Sequence, residues 1–152
     1  AIAKDPKNNA YYYYKAMMLE KNNDMEGALA MFKQVLEFTP NDFSANFNTG
    51  VLYSRQAEKL RQVLNEIPYK EQERYDKTLQ EMESNYLESV KYYEKALEIQ
   101  PANLDVLEVL KNIYFYFRDK QDGMMSKYET IKAKIDAMSA DANMTQQRLQ
   151  SM

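Results

Sequence analysis

The sequence predicts an all-α protein built from repeated antiparallel helix pairs, for three reasons. Pro6 and Pro40 lie 34 residues apart, each closing a similar passage, and a third such passage contains Pro101. A period near 34 residues is typical of helix–turn–helix solenoids. Only three Gly and four Pro occur in 152 residues, which leaves little for strand turns and favours long helices. Apolar residues recur three and four positions apart, as on the buried face of a helix.

The first complete repeat is predicted at 9–42. Its first helix runs from Ala10 to about Lys21, and the polar turn that follows ends at Asp24, a favourable N-cap. The second helix stops before Pro40, because the residue preceding a proline disfavours helical geometry. Its apolar face is spaced by three and four and comprises Ala28, Leu29, Met31, Phe32, Val35, Leu36 and Phe38.

The second repeat is predicted at 43–103 and contains an insertion. Pro101 lies 61 residues after Pro40, which is 27 more than one period, and deleting residues 58–84 would restore an ordinary repeat. The insertion falls at the tip of the helical hairpin, so both helices become longer and extend roughly 20 Å beyond their neighbours. Gly50 is the expected small residue at the close contact between the two helices.

The ends of the chain are predicted to differ from its centre. Residues 1–8 read as the end of a preceding repeat, which indicates a fragment of a longer array. Residues 104–138 read as a degenerate third repeat, since Lys111 stands where a small residue is expected. Residues 139–152 are polar, and we expect a frayed tail or linker there. The predicted repeat domain therefore covers residues 1–138 and excludes this last segment.

The best-fitting repeat resembles the tetratricopeptide family. The family's aromatic, small, Ala, Phe and Pro positions fall on Tyr12, Ala16, Ala28, Phe32 and Pro40. Lys15 and Leu19 depart from the pattern. The composition, rich in Tyr, Asn and Lys, looks similar to that of Bacteroidetes members of the family, many of them in the cell envelope. The resemblance therefore suggests an envelope or periplasmic location, with the cytoplasm as the alternative.

A partner-binding groove is the site that this resemblance implies. In the family's geometry, Tyr13 and Met17 face the concave surface, and Phe47 and Val51 are their equivalents one repeat later. The run Tyr11–Tyr14 supports an exposed tyrosine, because successive helical residues turn by about 100° and four in a row cannot all enter one core. The alternative is that these side chains only fill the core or pack against a preceding repeat.

Two other kinds of site receive less support. The family's carboxylate clamp would require Lys, Asn and Arg at positions that here hold Tyr13, Met17, Asn48, Asp105 and Val109, so only one residue matches. The acidic residues of 71–83 alternate with Lys and Arg, as on a solvated helix face. We therefore expect neither a clamp nor a metal site.

Composition excludes several further functions. The chain has no Cys and no His, so disulfides, thiolate nucleophiles, imidazole bases and the usual zinc sites are absent. Its 20 basic and 23 acidic residues are interspersed along the sequence, and the net charge is −3. This distribution gives no cationic face that would bind nucleic acid. No apolar run is long enough to span a bilayer. We expect no cofactor and no catalytic activity.

Binding of a protein or peptide partner is therefore the predicted function, as an adaptor or scaffold. A rival prediction is a structural self-assembly module in which residues 58–84 mediate homo-oligomers. A remote third is the regulatory arm of a larger enzyme. The sequence does not name the partner.

Overall fold

The computed structural model describes residues 8–152, which contain six α-helices and no strand. The predicted all-α class is therefore confirmed for this part of the chain, and the passage around Pro6 lies outside it. The contacts divide the chain into two compact units, Ala1–Pro101 and Ala102–Met152. The helices are α1 (Asn9–Lys21), α2 (Met25–Phe38), α3 (Phe43–Glu66), α4 (Gln72–Ile99), α5 (Leu104–Phe117) and α6 (Met124–Ser151).

Aspartate side chains cap the N-termini of α2 and α3. The Asp24 carboxylate accepts a hydrogen bond from the Gly27 amide at 2.9 Å and caps α2, as predicted. Asp42 caps α3 in the same way, through the Ala45 amide at 2.8 Å. Each cap satisfies one of the donors that a helix N-terminus leaves without a partner.

The two proline passages that the structure describes have the same backbone geometry. Helix α2 ends at Phe38 and α4 ends at Ile99, each two residues before a proline. The intervening residues, Thr39 and Gln100, have φ/ψ angles of −136°/79° and −127°/83°. A residue before proline avoids the helical region because it would clash with the proline ring. The repeated sequence thus produces a repeated local structure.

Helices α3 and α4 form the long hairpin that the 27-residue surplus predicts. They contain 24 and 28 residues, against 13 and 14 in α1 and α2, so they are longer by roughly 15–20 Å. Their distal parts pack around a small cluster of buried residues: Ala57, Leu64 and Met82. The Tyr86 hydroxyl also donates to the Glu58 carboxylate across the pair at 3.2 Å.

Gly50 makes the close contact between α3 and α4 that the sequence predicts. A Cβ atom at this position would lie 2.8 Å from Cε1 and 2.9 Å from Cδ1 of Tyr93. The ring of Tyr93 is almost completely buried, and its hydroxyl accepts a hydrogen bond from Ser54 at 3.2 Å. Only glycine lets the α3 backbone approach the ring this closely.

The second unit consists of α5 and α6, which pack against each other. Helix α6 continues through residues 139–151, all of them exposed, where the sequence predicts a frayed tail or linker. Gly123 precedes α6 with a φ of 81°. This left-handed conformation is strained for residues with a side chain.

Candidate functional site

The four consecutive tyrosines of α1 point in different directions, as the helical repeat requires. Tyr12 is buried in the first unit, together with Ala16. Tyr11 and Tyr13 are half-buried and pack against the edge of this core. Tyr14 is 70% exposed. Helix α1 therefore has apolar side chains on its outer face as well as its inner face.

Tyr13 is held between α2 and α3. Its ring meets Phe32 edge-on with the ring centres 5.5 Å apart, and its hydroxyl accepts a hydrogen bond from the Asn48 amide at 3.0 Å. The side chain is therefore anchored on one side and open on the other. The same bond occupies Asn48, the one residue that matches the family's carboxylate clamp.

The other three predicted groove residues differ in exposure. Met17 is 43% exposed, whereas Phe47 and Val51 are half-buried. The Phe47 ring lies between Phe43 and Tyr93, with ring centres 5.9 Å away from each. Met17 is thus the most accessible of the predicted groove residues.

An open groove of about 700 Å³ runs along α1. Its apolar part is formed by Tyr14, Met17 and Met18, and Met18 is 66% exposed. Residues three and four positions apart are neighbours on a helix surface, so these side chains form one continuous ridge. The volume lies within the range of pockets that accept ligands. Of the predicted groove residues, only Met17 lines it.

Charged side chains complete the lining of this groove. Arg55 of α3 donates to the Glu20 carboxylate of α1, and the two form an ion pair. Lys21 is the third charged residue of the lining and is exposed at the end of α1. Two cations and one carboxylate give this part of the groove a net positive charge, within a chain whose net charge is −3.

A separate cluster joins α2, α3 and α4. The Lys33 ammonium donates to the Tyr53 hydroxyl at 2.7 Å, and this hydrogen bond raises the pKa of Lys33. The Tyr53 ring stacks on Tyr92 with 5.8 Å between the ring centres, and burial raises the pKa of Tyr92. Lys33 also lies over the Tyr53 ring, 5.3 Å from its centre, as in a cation–π contact. The cluster stabilises the helix packing.

Five residues that line this groove were not predicted from the sequence, although two signals were present: Tyr14, Met18, Glu20, Lys21 and Arg55. The tyrosine run requires at least one outward-facing ring, and Met18 follows Tyr14 by one helical turn. The ion pair had a weaker signal, since Glu20 and Arg55 are separated by 35 residues, close to one repeat period.

Two kinds of feature are absent from residues 8–152. This part of the chain contains no cluster of three acidic side chains suited to holding a metal ion. It also contains no helix with the length and apolar character needed to cross a bilayer. In the acidic stretch of 71–83, Glu71 pairs with Arg74 at 3.1 Å, and Asp76 accepts from Gln72 at 2.7 Å.

Comparison with known protein families finds a match to two segments of this helical array. The family model described as tetratricopeptide repeat matches residues 10–42 and 78–103. The first segment covers nearly all of α1 and α2 with the proline passage that follows, and the second covers most of α4 with the next such passage. The fold is therefore an all-α helical repeat similar to that of tetratricopeptide proteins.

A curated relative is similar over part of its length. Over 103 residues, the chain is 27% identical to the Photosystem I assembly protein Ycf3 of Rippkaea orientalis (strain PCC 8801 / RF-1). The matched region is 67% of this chain and 52% of that protein, so the chain spans about half the length of this relative. The suggested resemblance to Bacteroidetes proteins stays a prediction.

Proposed function

We propose that this protein is a non-catalytic binding module that holds a segment of a partner protein and supports the assembly of a complex. The main support is the tetratricopeptide-like array of helix pairs, matched at 10–42 and 78–103. Helical repeats of this kind present extended surfaces that bind other proteins. The similar protein of Rippkaea orientalis is a Photosystem I assembly protein, which is consistent with such a role.

In this proposal, the partner segment lies along the predicted groove of Tyr13, Met17, Phe47 and Val51. Tyrosine combines a large ring surface with a hydroxyl group, and both suit Tyr13 to protein recognition. The bond from Asn48 and the contact with Phe32 hold Tyr13 in one orientation, which lowers the entropy lost on binding. Met17 is accessible, and its flexible side chain can adapt to an irregular apolar surface of the partner.

Site-specific photocrosslinking tests this proposal without truncating the packed aromatic residues. A photoreactive phenylalanine analogue replaces Met17 in the protein expressed in its native cells. The matched control carries the same analogue at Met125 on α6, because the exposed fractions of these methionines are 43% and 44%. We expect a discrete adduct from position 17 and none from position 125. Equal adducts at both positions, or none at either, would refute the groove.

A second candidate is self-association through the α3–α4 hairpin. It is favoured by exposed apolar side chains near the hairpin tip, including Tyr69, which is 99% exposed, together with Val63 and Tyr75. Light scattering separates the two candidates. A dimeric mass for the parent chain and a monomeric mass after removal of residues 58–84 would favour self-association.

A further inference from the structure

The groove along α1 shares Met17 with the predicted groove, and its other lining residues indicate the chemical class of partner segment that would occupy this part of the surface. Resting on the proposed binding function, we infer that its occupant is an acidic peptide segment in which one bulky apolar residue and one Asp or Glu are about three positions apart. The apolar residue packs on the ridge of Tyr14, Met17 and Met18. The carboxylate pairs with Lys21 and Arg55.

The apolar residue of the peptide is inferred from the exposed apolar side chains of the groove. Tyr14 and Met18 are 70% and 66% exposed, and both line the groove of about 700 Å³. Apolar side chains that cluster on a surface are a feature of interaction sites. Aromatic residues and methionine are also enriched in the buried centres of protein interfaces. The groove is large enough to accept a Leu, Met or Phe side chain of the partner.

The acidic residue of the peptide is inferred from the positive charges of Lys21 and Arg55. The Arg55 guanidinium carries five N–H donors, and within residues 8–152 it donates hydrogen bonds to Glu20 alone. Most of those donors therefore remain available to a second carboxylate. The Lys21 side chain makes no ion pair within the described part of the chain, and its ammonium offers three donors. A carboxylate between these groups would form charge-assisted hydrogen bonds, whereas a basic peptide would be repelled.

The distance between Tyr14 and Lys21 on α1 sets the number of positions between the apolar and the acidic residue of the peptide. Tyr14 and Lys21 are seven residues apart on α1, so they are separated by roughly 10 Å along the helix axis. An extended peptide advances by about 3.3 Å per residue. A side chain over Tyr14 and a carboxylate near Lys21 are therefore about three positions apart in the peptide.

Selection from a random library of 12-residue peptides displayed on phage tests this inference with the full 152-residue chain. We expect enrichment of peptides in which Leu, Met or Phe and an acidic residue are about three positions apart, in either order. The double variant Tyr14→Ser with Met18→Ser should weaken the selected peptides at least tenfold. Selection on Lys21→Glu should lose the acidic position. The control, Tyr69→Ser with Lys70→Glu, changes two exposed residues at the hairpin turn and should leave binding unchanged.

The outcomes distinguish this inference from the broader proposal. Peptides that retain full affinity for the Tyr14 and Met18 double variant overturn the inference, as do selected peptides without an acidic residue. If crosslinking at position 17 still succeeds, the binding function stands and only the partner chemistry is wrong. If no peptide is enriched, the inference is overturned, whereas the absence of a crosslinked adduct from position 17 overturns the proposed groove.

Discussion

Replacing Gly50 by leucine tests the close contact on which the α3–α4 packing depends. An added Cβ would lie 2.8–3.1 Å from three atoms of the Tyr93 ring, against about 3.5–4.0 Å for an ordinary carbon–carbon contact. The ring cannot withdraw easily, because it is buried, bonded to Ser54 and packed on Phe47. Overpacking of a core costs about 1–3 kcal/mol.

The expected magnitude follows from two opposing effects. Gly50 lies within α3, so replacing it removes a helix penalty of about 1 kcal/mol. For alanine, this gain offsets part of the clash and leaves about 0–2 kcal/mol of destabilisation. Leucine brings three further carbon atoms into the same contact, and we expect a loss of about 3 kcal/mol. For a chain of this length, that loss lowers the melting temperature by roughly 6–12 °C.

Thermal and urea denaturation followed by circular dichroism measure this loss. The double variant Gly50→Leu with Tyr93→Leu removes the ring and serves as the control. It should recover at least about 1 kcal/mol relative to the sum of the single changes, because contacting residues couple. A Gly50→Leu protein with the denaturation midpoint of the parent would refute the placement of this contact.

Two further predictions concern the insertion and the second unit. Removing residues 58–84 and joining Ala57 to Asn85 should leave a cooperatively melting helical protein, since the deleted part contacts mainly itself and Asn85 can serve as an N-cap. Loss of the cooperative transition in circular dichroism would show that the insertion is integral. Gly123→Ala should cost about 1–2 kcal/mol because of the positive φ, and Gly123→Asn should cost less. Equal urea midpoints for these two variants would contradict that explanation.

The sequence predicted those parts of the fold that depend on local rules. The N-cap at Asp24 and the helix ends before Pro40 and Pro101 follow from backbone preferences. Their positions could therefore be predicted to within a few residues of those in the structure. The Gly50 contact followed from the family's requirement for a small residue. The 34-residue period also located the extra length of α3 and α4. The repeat boundaries themselves stay a prediction.

The remaining features depend on information that the sequence pattern lacks. The helix over 139–152 was missed because this stretch is polar and has no buried face. The groove charges were missed because the Arg55–Glu20 pair joins residues on different helices. The tyrosine run showed that one ring must face outward. It did not show which ring, since that depends on where α2 and α3 pack.

The α3–α4 hairpin also has a consequence for the order of folding. Its helices are joined by a short turn between Glu66 and Gln72, so contacts near the tip link residues close in sequence. Such contacts form quickly, because little chain entropy is lost in closing a short loop. We therefore expect pairing to proceed from the tip towards the Gly50–Tyr93 contact, whose members are 43 residues apart. If this contact is among the last to form, a clash there should accelerate unfolding more than it slows folding.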